Sequence, residues 1–119
     1  MAYYRVTKKQ SGGGGITFQN VLTAGVVSTN SAYATATFND ISSYKYAVVK
    51  VYDTVSGVDY ADYAMFDISN MSSGRSFTVT LHRSVTMTIT PTSIASNYYS
   101  GSYYYIYADV YVTNDEIIT

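Results

Sequence analysis

Cysteine and tryptophan are absent from this chain, proline and histidine occur once each, and charged residues are scarce. Without cysteine there is no disulfide framework, no thiol nucleophile and no cysteine-ligated metal. Small secreted domains often depend on such cross-links. A 119-residue chain lacking them must hold itself by its core or by oligomerisation. The single histidine, His82, has no serine or acidic partner at recognisable spacing. No catalytic triad and no histidine-rich zinc site can therefore be read, and His82 is expected to be an ordinary polar strand residue.

Charged residues make up 13% of the chain, about half the usual share. Seven basic and eight acidic residues leave a net charge of −1 and no field for attracting phosphates, which argues against nucleic-acid binding. Arg5, Lys8 and Lys9 form the only basic cluster, and three charges read as a solvated tail. Ser, Thr, Asn and Tyr replace the missing charge. A surface that is polar without repelling its neighbours favours a homo-oligomer. Met1 to Lys9 contains no apolar stretch of the signal-peptide kind, and no run approaches the roughly 20 apolar residues of a spanning helix. The expectation is synthesis in the cytoplasm, no membrane insertion, and some other route if the protein acts outside.

Motifs of catalysis are equally scarce. There is no phosphate loop, nucleophile elbow or dinucleotide fingerprint. Asp53, Asp59, Asp62 and Asp67 cluster in sequence, but their irregular spacing lacks the alternating acids and glycine of a calcium loop. They supply candidate carboxylates and no cleft for glycoside hydrolysis. The expectation is a non-enzymatic protein with no cofactor and no metal.

What the chain has is tyrosine, fifteen of them, written into strand-period alternation. In residues 103–112 the even positions Tyr104, Ile106, Ala108, Val110 and Val112 read as a core face. The odd positions Tyr103, Tyr105, Tyr107, Asp109 and Tyr111 read as a polar, aromatic outer face. Tyrosine joins a large rigid apolar body to a polar tip, so Tyr103, Tyr105, Tyr107 and Tyr111 form the candidate binding or interface ladder. Cross-strand packing beneath a second sheet is an equal explanation of the same pattern. Between the other uses, a subunit interface ranks ahead of a glycan-stacking face, because tryptophan is missing.

Ser11 to Gly15 is the one obvious joint, a flexible connector spanning on the order of 12 Å. It divides the chain into residues 1–10, an attachment segment or edge strand, residues 11–15, a glycine-rich hinge, and residues 16–119, the body. The body reads as short strands between turn signals, an all-β antiparallel sandwich, jelly-roll or Ig-like, of about seven or eight strands and rich in hairpins. Gly25 marks a bulge or bend, and Asn39-Asp40 a turn. Ser56-Gly57 reads as a two-residue hairpin turn, pairing Val51 with Asp62, Val49 with Ala64, Tyr52 with Ala61 and Lys50 with Tyr63. Asp62 then falls on the core face, which requires either an open sheet end there or a register slipped by one. Phe77, Val79, Leu81, Val85, Met87 and Ile89 share one parity, as one bent strand or two short ones. Pro91 ends that run. A last hairpin, Ile94 to Tyr99 with Tyr103 to Thr113 about a Ser100-Gly101-Ser102 turn, would set Ile94 opposite Ala108 and Ser96 opposite Ile106.

The start Met1-Ala-Tyr-Tyr-Arg-Val-Thr-Lys-Lys-Gln, the hinge and the Ser/Thr/Tyr-rich β body together resemble small structural or tail-associated proteins of bacteriophages and prophages. The chain lacks the fibrous repeat of long tail fibres. The resemblance implies a virion component, present in the bacterial cytoplasm before assembly. Its N-terminal segment would anchor to other virion proteins, and its β domain would oligomerise or contact a host surface. The alternative is a carbohydrate-binding β-sandwich whose exposed tyrosines stack on a host-surface glycan.

Overall fold

The computed structural model describes residues 7–8, 17–29, 33–55, 57–69, 71–81, 84–96, 105–115 and 117–118. Among them every regular element is a strand: β1 (Thr7–Lys8), β2 (Gln19–Ser28), β3 (Thr35–Thr37), β4 (Tyr46–Val55), β5 (Val58–Asp67), β6 (Arg75–Thr80), β7 (Ser84–Thr90), β8 (Ser93–Ser96), β9 (Ile106–Thr113) and β10 (Ile117–Ile118). Two four-stranded antiparallel sheets, in the orders β2-β9-β4-β5 and β3-β8-β7-β6, pack together as a β-sandwich. β1 and β10 pair as a separate two-stranded ribbon, Thr7 beside Ile118 and Lys8 beside Ile117.

Period-2 alternation builds the core. β4 buries Ala47, Val49 and Val51, and β9 buries Ile106, Ala108, Val110 and Val112. Facing them from the other sheet are Phe77 and Val79 of β6, Val85, Met87 and Ile89 of β7, and Ile94 of β8. The outer face of that second sheet is almost uniformly hydroxylated: Ser76, Thr78 and Thr80 stand beside Thr88, Thr86 and Ser84. Threonine suits a solvated strand surface through its β-branched shape. None of these six positions carries a charge.

The β4–β5 hairpin has the expected register throughout, from Val55 beside Val58 to Tyr46 beside Asp67. Gly57 occupies the turn at φ 78°, where a Cβ would be strained. The register does not slip at Asp62. Instead the inner-face positions of β5 open toward the hairpin tip, with Val58 51% exposed. Asp62 uses that opening: its Oδ2 accepts from the Thr80 N–H at 2.9 Å and its Oδ1 from the Tyr63 N–H at 2.9 Å. A carboxylate on the core face thereby ties edge strand β5 to β6 of the opposite sheet.

The shared parity of 77–89 resolves into two strands, β6 and β7, with Phe77 beside Met87 and Val79 beside Val85. The last hairpin is corrected. β8 pairs with β7 and β3, so Ile94 lies beside Ile89 and Ala36, while Ala108 lies beside Val51 and Gly25 in the other sheet. Ile94 and Ala108 are both fully buried and belong to opposite layers. Alternation tells which face a residue takes, not which strand lies next to it. Pro91-Thr92 forms a tight turn between β7 and β8, a short closure that pairs β8 with β7. The Ser100-Gly101-Ser102 turn lies outside the described residues.

Candidate functional site

Strands β5, β4, β9 and β2 present one outer face in cross-strand rows. Met65, Val48, Tyr111 and Asn20 make one row, Tyr63, Lys50 and Asp109 the next, and Ala61, Tyr52, Tyr107 and Val26 the third. The alternation places aromatic and polar residues here because their even neighbours on β9 are taken by the core. Tyr105, Tyr107 and Tyr111 all lie on or just before β9 on this outer side; Tyr103 lies outside the described residues.

The tyrosines form a stack running across strands as well as along one. Tyr105 and Tyr107 stack at 6.3 Å between ring centroids, and Tyr107 stacks on Tyr52 of β4 at 5.7 Å. The Lys50 ammonium sits 5.0 Å from the Tyr52 ring centroid, a cation–π distance. Tyr105 is 42% exposed and Tyr63, on the edge strand, 52%. Tyr111 stands apart, separated from Tyr107 by Asp109. With Phe18 and Val48 it lines an apolar recess of about 320 Å³.

Asp109 anchors this face. It is nearly buried, and its Oδ1 accepts from the Ala24 N–H at 2.7 Å and from the Tyr52 hydroxyl at 2.9 Å. Burial, followed by the hydrogen bond and charge of Asp109, pushes the Tyr52 hydroxyl up to about 12. The Ala24 N–H reaches the carboxylate because β2 is bulged between Asn20 and Gly25, with Ala24 at φ 52°. Asn20 repairs the interrupted ladder, its side-chain amide donating to the carbonyls of Leu22 at 2.9 Å and Val110 at 3.2 Å. Gly25 allows the close approach beneath: a Cβ there would lie 2.7 Å from the Leu22 side chain and 2.8 Å from the Ala36 Cβ.

A second recess, of about 310 Å³, lies on the β4–β5 ribbon near its turn, lined by Lys50, Tyr52, Asp53, Thr54, Asp59, Tyr60 and Ala61. Asp59 accepts a hydrogen bond from the Thr54 hydroxyl at 2.7 Å, while Asp53 is buried on the opposite, inner side of the strand. The acidic residues that cluster in sequence thus disperse. Asp59 faces out, Asp53 in, Asp62 toward β6, and Asp67 accepts from the Ser69 N–H at 2.9 Å near the other end. Among the described residues no three metal-ligating side chains gather.

Sequence reasoning placed Asp109 on the outer face of this strand but missed Tyr52 and Tyr63 as members of the same face. The signal was present, since Tyr46, Lys50 and Tyr52 share a parity on β4. What was missing was that β4, and not β8, lies beside β9. The chain enters the body near where it leaves: the Thr17 N–H donates to Asp115 Oδ2 at 2.7 Å and the Thr113 hydroxyl to the Thr17 carbonyl at 2.9 Å. β9 starts beside Tyr52 and ends beside Tyr46, so this corner is opposite the Tyr52–Tyr107–Tyr105 stack. Comparisons with protein families, with curated proteins and with solved structures find no match.

Proposed function

We propose that this chain is a non-enzymatic, phage-like virion accessory or tail-associated module that binds a host surface or its own copies through its tyrosine-rich β face. The observation that carries the reading is the stack Tyr52–Tyr107–Tyr105 on the outer sheet face, at the end of the sandwich away from the corner where Thr17 meets Thr113 and Asp115. A module held at that corner presents the stack outward. Tyrosine provides contact area with few rotors to freeze, and Tyr105 and Tyr63 keep much of theirs in solvent. The low net charge adds little repulsion between copies.

Antibody against the chain tests the virion part. Particles released from a culture carrying the gene should be decorated in electron micrographs; signal confined to the soluble fraction overturns it. The labelled protein should also bind whole cells of a susceptible strain, and Tyr105→Ala with Tyr107→Ala should abolish that binding at a temperature where far-ultraviolet dichroism shows the variant still folded.

A further inference from the structure

We infer that the recess on the β4–β5 ribbon seats a neutral sugar ring of a surface glycan, an inference that deepens the host-surface reading and rests on it. The recess exists because Ala61 is the small residue on the outer face of β5 between Asp59 and Tyr63, opposite the large ring of Tyr52. Its volume of about 310 Å³ is at the lower end of the ~300–1,000 Å³ range of small-molecule sites.

The lining chemistry selects the class. A pyranose offers apolar C–H patches next to vicinal hydroxyls, each both donor and acceptor. The recess offers the aromatic wall of Tyr52, the donor-only Lys50 ammonium, the acceptor-only Asp59 carboxylate and the Thr54 hydroxyl, which can do both. Thr54 already donates to Asp59 at 2.7 Å, which orients the carboxylate and leaves its second oxygen for a ligand hydroxyl. The Lys50 ammonium and the Asp59 carboxylate balance in charge, and Asp53 turns its buried carboxylate to the inner side, so no excess of positive charge draws in a phosphate, a uronate or a sialic acid. The apolar recess at Phe18, Val48 and Tyr111 has no such mixture. The sugar-binding recess is also at the hairpin end of the sheet, where a long polymer can pass without meeting the corner of Thr17, Thr113 and Asp115.

The test uses the full-length isotope-labelled chain, titrated with cellotetraose, maltotetraose, galactobiose and chitobiose as neutral probes and 3′-sialyllactose as the anionic one. At least one neutral probe should shift the backbone resonances of residues 50–54 and 59–61 in the millimolar range or tighter. Ala61→Phe fills the recess from an exposed position and should weaken that binding by at least about tenfold, which is ~1.4 kcal/mol, with an unchanged melting temperature. Asp59→Asn should weaken it as well, whereas Thr86→Ala, on the outer face of the other sheet, should not. The inference is overturned if no neutral probe moves these resonances, if sialyllactose moves them equally, or if Ala61→Phe binds as before. Cell binding that persists in Ala61→Phe while no sugar binds removes this inference and leaves the host-surface reading standing. Sugar binding without cell binding removes the latter alone.

Discussion

Asp109 interrupts the tyrosines of β9, and its surroundings explain why a carboxylate stands there. It takes two hydrogen bonds, one from the backbone of bulged β2 and one from Tyr52 of β4, so a single side chain joins three strands. Asp109→Ala leaves the Ala24 N–H and the Tyr52 hydroxyl without their acceptor and is expected to cost about 1–3 kcal/mol in urea denaturation. Gly25→Ala, below the same bulge, drives a Cβ into Leu22 and Ala36 and is expected to cost about 1–3 kcal/mol, with the loss recovered in part by trimming Leu22. Tyr52 carries a pH signature. Its hydroxyl rises from 10.0 to about 12 in the folded chain, so the unfolded chain releases this proton first. The stability tied to that proton is whole below pH 10 and is lost as pH climbs toward 12. Ultraviolet titration should show one phenol ionising late, and Tyr52→Phe should remove both that late step and its share of the alkaline destabilisation. Equal alkaline slopes in the two proteins would refute the assignment.

At the level of elements, closure length separates what could be read from what could not. The β4–β5 register follows from Ser56-Gly57 alone, because a two-residue turn fixes every later pair and the apolar residues then fall on one face. β9 gave up its two faces just as readily: Ile106, Ala108, Val110 and Val112 are fully buried, and Tyr105, Tyr107 and Tyr111 point outward. Its neighbours were not legible. β9 joins β2 and β4, separated from it by many tens of residues, and non-local pairing leaves no mark in the local pattern. The candidate site suffered from the same gap, since the cross-strand half of the stack, Tyr52 on β4, depends on that pairing. Asp62 shows the converse, a residue that looks misplaced in the pattern and is explained by a contact between sheets. Asp62→Ala frees the Thr80 N–H at the β5–β6 edge and is expected to cost about 1–2 kcal/mol. Hydrogen exchange should show the loss mainly in β5 and β6; uniform acceleration across both sheets would contradict a local tie.

The whole molecule has two outer faces of different character. The β3-β8-β7-β6 face is a field of hydroxyls, and the β2-β9-β4-β5 face carries stacked rings beside a recess with charge. Between them one core holds both sheets, so truncating its centre should unfold both together: Ile89→Ala is expected to cost about 2–5 kcal/mol in a single transition seen alike by tyrosine fluorescence and far-ultraviolet dichroism. The faces differ in how they meet other molecules. Hydroxyls on a solvated sheet remain well hydrated, and serine is depleted from subunit interfaces, where tyrosine is enriched. Self-association should therefore run through the tyrosine face. Tyr63 and Tyr105 are the exposed rings there, 52% and 42% open, so replacing both with lysine removes little buried area and places two like charges on each copy. At high concentration the native chain is expected to scatter light as a homo-oligomer and the Tyr63→Lys, Tyr105→Lys chain as a monomer, with melting temperatures equal within a few degrees at low concentration. Added salt should restore part of the association in the variant, because screening weakens repulsion between exposed charges. A strictly monomeric native chain, or a double variant that associates as strongly as the native protein, would move the interface off this face and leave its rings to the host surface alone.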